Sequence, residues 1–158
     1  MRPLRLPKMG KREIDELIGE QTICRIAFKG DEYPYLAPFQ YVTHEGSIYF
    51  HFTDYGRKMK RMGKDRRVCV GFERLESDLS DYRFVVLSGS IEAVEDEQER
   101  ADVIEKMAET CRERLSENFL PAHGFEREQG WSALSPEAPI VIVKLVDVVD
   151  SIGLMSPY

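Results

Sequence analysis

The stretch Gly46-Ser-Ile-Tyr-Phe-His-Phe-Thr-Asp-Tyr-Gly-Arg-Lys58 decides how this chain is read. From Ser47 to Thr53 the residues alternate. Ile48, Phe50 and Phe52 share one face, and Tyr49, His51 and Thr53 share the other. That pattern predicts a strand. His44-Glu45-Gly46 predicts the tight turn leading into it. Asp54-Tyr55-Gly56 ends it, and Arg57-Lys58 opens a short basic helix whose Met59 and Met62, one turn apart, face inward. A strand end with a hydroxyl, a glycine turn and two cations gathers backbone N–H groups and positive charge at one point. A phosphate dianion needs donors of that kind. The same pattern also fits a strand followed by a solvated basic helix, because charge runs usually lie on the surface.

Outward from this stretch the chain reads as strands. Lys11 to Glu20 predicts a short amphipathic helix with Ile14, Leu17 and Ile18 on one side. Ile23 to Phe28 and Tyr35 to Thr43 read as two strands around a Gly30-Asp31 turn. Pro38 inside the second cannot donate to a ladder, so it marks an edge, a bulge or a functional departure. Arg67 to Arg74 is a further strand, with Glu76 to Asp81 as a polar loop after it. Phe84 to Val94 is a long strand whose Ser88-Gly89-Ser90 allows a bulge or a close backbone approach. Asp96 is the predicted N-cap of a helix reaching about Phe119. Residues 120 to 138 read as irregular, and Ile140 to Asp150 as a last strand whose apolar start implies burial on both faces. Six strands joined by short connections predict a mainly β fold with flanking helices. In so short a chain the antiparallel sheet is expected to curl into a barrel, which removes its edges.

The 158 residues fit a single domain over 1–158 with one sizeable core. The net charge is −6, which counts against nucleic acid and anionic membrane as partners. Residues 57 to 67 nevertheless carry +6, so the rest of the chain carries −12. One concentrated basic segment suggests a local anion site. The later cations, Lys60 to Arg67, read as helix surface or dimer contacts. Cys24, Cys69 and Cys111 are odd in number and far apart, so neither a disulfide framework nor a zinc site is indicated, and a cytoplasmic setting is expected. The apolar runs are too short to span a bilayer, and the first residues lack a secretory core.

Familiar catalytic motifs are missing. There is no G-x-G-x-x-G. A P-loop ending at Gly63-Lys64 would need glycine where Lys58 stands. G-x-S-x-G and H-E-x-x-H are also missing, and His44, His51 and His123 have no helical metal spacing. No metal site is expected.

The chain resembles the FMN-binding split barrels related to pyridoxamine 5′-phosphate oxidase, most of all the subgroup with the nitroimidazole-resistance proteins. Tyr33-Pro-Tyr-Leu-Ala-Pro-Phe-Gln-Tyr41 is similar to the family's second barrel strand. Gly46 to Lys58 is similar to the third strand and its phosphate turn. Val68 to Glu73 and Val85 to Glu92 are similar to the next two strands. The similarity runs from about Glu13 to Val149, weaker in the last third. It implies a six-stranded antiparallel split β-barrel that binds FMN, or FAD, at a homodimer interface. By the same resemblance Arg57 and Lys58 hold the phosphate, with Thr53 and Gly56 completing the turn. Pro38, Phe39, Gln40 and Tyr41 run along the isoalloxazine and ribityl chain. Phe52 borders the flavin, and His51 lies near the cofactor or substrate space. Ser88 or Trp131 would reach the cofactor of a second copy.

Two departures stand out. Authentic pyridoxamine-phosphate oxidases carry serine where this chain has Gly56, and they end in an arginine-containing motif where this chain ends Ile152-Gly-Leu-Met-Ser-Pro-Tyr158. Both count against pyridoxal-phosphate synthesis. The expected function is therefore that of an FMN-dependent oxidoreductase acting on a small molecule. A noncatalytic flavin carrier, or a haem- or deazaflavin-binding protein on the same barrel, is the alternative. Read as single residues, His51 also fits a hydrogen-bonded barrel histidine, and Trp131 a packing anchor.

Overall fold

A computed structural model describes residues 3–54 and 56–158, and everything in that range except the side chain of His123. Tyr55, in the break before the basic helix, lies outside the described residues, as do Met1 and Arg2. The strands are β1 (Ile23–Phe28), β2 (Tyr35–His44), β3 (Ser47–Thr53), β4 (Arg67–Leu75), β5 (Tyr82–Ala93) and β6 (Ile140–Met155). The α-helices are α1 (Lys11–Glu20), α2 (Arg57–Lys64) and α3 (Glu97–Arg114), and two 3₁₀ segments follow at Glu117–His123 and Arg127–Ala133. The strands close into an antiparallel barrel in the order β1-β2-β3-β6-β5-β4. The mainly β barrel with flanking helices expected from the sequence is the observed fold.

Two elements differ from the sequence reading. α3 stops at Arg114, because Leu115 is extended and Ser116 caps the next segment by accepting from the Asn118 N–H at 3.2 Å. β6 runs on to Met155, past the polar Asp147 to Ser151 that hid it, because β5 pairs with it again from Asp150 to Met155 after a bulge at Asp147 to Val149. Asp96 caps α3 as expected, its carboxylate accepting from the Glu99 N–H at 2.7 Å. The Ser88-Gly89-Ser90 stretch is a close approach, and the bulge lies opposite it in β6, where four steps from Val146 to Asp150 face two in β5. The register shifts between Ser88 and Ser90, and a Cβ on Gly89 would lie 2.8 Å from the Val146 carbonyl oxygen.

The core has two parts. Inside the barrel, Phe28, Phe50, Phe52, Phe72, Ile26 and Val70 fill the interior. Outside it, α3 and the 3₁₀ segments cover the other face of β2, β3 and β6, with Val42, Tyr49 and Ile142 against Ile104, Met107 and Trp131. Tyr49 ties these layers together. Its hydroxyl donates to Glu99 at 2.6 Å, and Lys144, its cross-strand neighbour, donates to the same oxygen at 2.9 Å. The Tyr49 hydrogen bond, then Lys144, holds the Glu99 carboxyl below its ordinary range. A folded value that is depressed means stability present above the ordinary carboxylate range and lost as pH falls through it. Glu99→Ala is expected to cost about 1 kcal/mol at neutral pH, the usual net value of a hydrogen bond. Urea midpoints should show the gap to wild type closing in acid. A gap that persists there would argue that lost packing, and not the charge, is responsible.

Candidate functional site

The β2–β3 ladder is short. It runs from His44↔Ser47 to Tyr41↔Phe50 and stops. From Tyr35 to Gln40, β2 has ladder partners on its β1 side alone among the described residues. The end of β3 keeps β6 on its other edge, as His51↔Ile142, Phe52↔Val141 and Thr53↔Ile140, and has no β2 partner among the described residues. The barrel is therefore split at one end between β2 and β3.

Pro38 belongs to this split. The Tyr41 N–H donates to the Thr22 carbonyl at 3.1 Å. In an antiparallel ladder the hydrogen-bonded pairs alternate, so Phe39 and Ala37 also bond β1, while Leu36, Pro38 and Gln40 turn their backbone groups away from it. Pro38 sits opposite Arg25 at one of these outward positions, so its missing N–H costs the β1 ladder nothing. An edge of carbonyls with the Leu36 and Gln40 N–H groups faces the opening.

The basic helix begins at the mouth of the same opening. Gly56 holds φ +96° as the N-cap residue, a left-handed conformation that disfavours any side chain. It has no side chain to cap with, so the N-cap residue itself offers the first-turn N–H groups of α2 no oxygen beyond its carbonyl. Arg57 is exposed. Lys58 is half-buried and turns back over the Phe39 ring, its Nζ 4.9 Å from the ring centroid. Burial pulls its pKa below that of an ordinary lysine. Among the described residues no carboxylate forms an ion pair with it, whereas Arg61, Lys64 and Arg67 of the same basic run all have one.

The predicted residues fall into three groups. Pro38, Gln40, His51 and Thr53 lie on the outer side of the two strands that border the split, and Gly56, Arg57 and Lys58 follow the end of β3, with Lys58 over the Phe39 ring. Phe39, Tyr41 and Phe52 lie on the same strands, but their side chains point into the barrel core. Phe39 and Phe52 stack 5.0 Å apart there, and the Tyr41 hydroxyl donates to the Ile18 carbonyl at 2.5 Å. Their backbone alone is left for a ligand at the split. Ser88 lies on β5, across the barrel from β2, with its Oγ 3.5 Å from the exposed Cys69 Sγ. Trp131 is buried against the outer cluster beneath α3. Ser88 is therefore remote from the split of its own chain.

Gln40 and His51 are the buried polar residues of this face. Continued by one step, the β2–β3 register would bring them opposite each other. The Gln40 amide donates to Cys111 Sγ at 2.8 Å, and its Oε1 is buried with no hydrogen-bond partner among the described residues. Burial pushes the Cys111 thiol up to about 11, so it is a packing residue and no nucleophile. Sequence reasoning missed Leu36, which shares the outward edge with Pro38 and is 61% exposed. The alternation Leu36, Pro38, Gln40 was the available signal.

The model of the pyridoxamine 5′-phosphate oxidase family matches residues 10–138. Among proteins of curated function none is significantly similar to this chain. Solved structures are. An FAD-binding protein from Mesorhizobium loti superposes with a TM-score of 0.70 at 16% identity, over 97% of this chain and 99% of that one. A putative 5-nitroimidazole antibiotic resistance protein from Bacteroides thetaiotaomicron gives 0.64 at 17% identity, over 98% and 94%. An FAD- and haem-binding protein from Mycobacterium smegmatis gives 0.63 at 12% identity, over 94% and 72%. At such identities the likeness is one of fold, and the assignment rests on the match across most of the sequence: this chain belongs to the pyridoxamine 5′-phosphate oxidase family.

Proposed function

We propose that this protein binds a flavin through its FMN unit at the β2–β3 split, and that it is an oxidoreductase acting on a small molecule. One observation carries the reading. Lys58 is a partly desolvated ammonium with no carboxylate partner among the described residues, set in the first turn of α2 behind a glycine N-cap. A cation held in that way is stabilised by an anion brought to it, and a flavin phosphate is such an anion. The donor set suits the rest of the group. The outward edge of β2 presents backbone acceptors and the Leu36 and Gln40 N–H groups to the opening, as the polar edge of a flavin ring requires. Flavin-binding proteins among the structural neighbours support the same reading.

When bound, the flavin supplies the hydride or electron transfer. The chain's own residues would do the rest. Lys58, with Arg57, would anchor the phosphate, Gly56 would bring its turn close to it, and Pro38 and Gln40 would line the ring's edge through their backbone. Thr53 would add a hydroxyl beside the phosphate, and His51 a polar ring on the same face.

A second copy of the chain is the proposed partner. The outer barrel face around β4, β5 and β6 leaves Val149 83% and Ile152 47% exposed, beside a hollow of about 460 Å3 lined by Ala27, Cys69 and Ser88. Apolar surface of this kind suits association. Such a dimer would bring Ser88 towards the other copy's flavin. All three cysteines are free, as suits a reducing, cytoplasmic setting. Among the described residues no helix is long and apolar enough to cross a membrane.

The test is direct. Protein purified from cells, or incubated with flavin and desalted, is expected to be yellow, with a flavin spectrum and a stoichiometric flavin released on denaturation. Colourless protein that takes up neither FMN nor FAD would sink the proposal. A haem spectrum would replace the flavin with another ligand. Turnover with a nicotinamide donor and an electron acceptor separates an enzyme from a carrier.

A further inference from the structure

Beyond the phosphate turn, the basic helix carries a second feature. Arg57, Lys60, Arg61 and Lys64 have the spacing i, i+3, i+4, i+7, so all four share one face of α2. Met59 and Met62 take the opposite face and pack on the barrel core. The cationic stripe faces the β1–β2 loop across a hollow of about 510 Å3, within the range of ~300–1,000 Å3 usual for small-molecule sites. Arg57 belongs to this hollow and also to the phosphate turn, so the two are continuous.

The loop that forms the other wall is held in place. A Cβ on Gly30 would lie 1.5 Å from the Tyr33 carbonyl oxygen, so the loop folds back on itself in a way that only glycine permits. This turn sets Tyr33 on the wall of the hollow, 74% exposed. Two carboxylates also line the space. Asp31 is already taken, by Lys64 at 2.9 Å and Arg61 at 3.6 Å. Glu32 is exposed. Four cations against two carboxylates leave positive charge in excess, with Arg57 and Lys60 in no ion pair among the described residues. An exposed aromatic ring next to unsatisfied cations, one step past a phosphate site, suits a second phosphate followed by a flat base.

We infer that this hollow is a subsite for the adenosine monophosphate half of FAD, so that the chain takes FAD in preference to FMN. The inference rests on the flavin reading above. Lys60, with Arg57, meets the second phosphate, and the Tyr33 ring stacks on adenine. Glu32 is placed to accept from a ribose hydroxyl.

The experiment is titration of flavin-free protein with FMN and with FAD, followed by flavin fluorescence. FAD is expected to bind about tenfold tighter or more, since one charge-assisted contact is worth at least that factor. The doubly substituted Tyr33→Ala, Lys60→Ala protein should lose most of that advantage and keep its FMN affinity. Both positions are exposed, so the variant is expected to fold, and an unchanged melting curve checks it. Equal affinity for the two flavins, or a substitution that weakens both alike, overturns the inference and leaves the flavin reading standing. Binding of neither flavin removes both.

Discussion

Replacing Lys58 with alanine is expected to lower flavin affinity by about ten- to a hundredfold, because a hydrogen bond to a charged group is worth about 1.5–3 kcal/mol. The effect should exceed that of Arg57→Ala. Arg57 is exposed, so water and salt screen it, whereas Lys58 is half-buried over Phe39. Folding should hardly change, since Lys58 has no ion pair to lose among the described residues. The pH dependence has a definite sign. Desolvation lowers the Lys58 pKa in the free protein, so its charge is lost at a lower pH than for an ordinary lysine. Affinity should thus hold below that value and fall as pH rises through it. Phosphate favours the charged form, so binding on that alkaline side should take up a proton. Titrations in two buffers of different ionisation heat would detect it. An affinity unmoved by Lys58→Ala would place the phosphate elsewhere, and Lys58→Arg should retain part of the binding.

The parts of this site written in one stretch of chain were legible in the sequence. Alternation from Ser47 to Thr53, the break at Gly56 and the cations after it are all local, and each has a local physical cause. The split was not legible. It depends on where the β2–β3 ladder stops while β3 stays paired on its other edge with β6, some ninety residues later, and pairing of that range leaves no local mark. The sequence flagged Pro38 as an anomaly without saying on which edge it lay. Only the parity of the β1 ladder shows that its missing N–H faces the opening. Alternation also put Phe52 and His51 on opposite faces correctly, but it does not say which face is inside. The family resemblance placed Phe52 beside the flavin. The barrel encloses its ring, and a flavin on the outer side of the split would meet its backbone alone. β6 was cut short for a related reason. A strand buried on both faces announces itself by composition, whereas its solvent-facing half, Asp147 to Ile152, bulges and then rejoins β5 at Asp150, leaving little hydrophobic signal.

Phe52 gives the largest expected effect on stability. Its side chain is fully buried, with ring centroids 5.0 Å from Phe39 and 6.2 Å from Phe28. Phe52→Ala should cost about 3–5 kcal/mol, the transfer energy of the ring plus the cavity left behind. Against a typical total of about 5–15 kcal/mol, that threatens folding at ordinary temperature. Denaturant midpoints of Phe52→Ala and Phe52→Leu would measure it. Leucine keeps most of the volume and should recover much of the loss. The pair also separates two roles for the ring. If Phe52 is a core residue, Phe52→Leu folds and keeps its flavin affinity within about threefold, a change of well under 1 kcal/mol. If the ring touches the cofactor, Phe52→Leu folds normally and loses flavin. With the ring inside the barrel, against Phe28 and Phe39, the first outcome is expected. The flavin's partner from β3 would then be the outward His51–Thr53 face, and the anchor would remain Lys58.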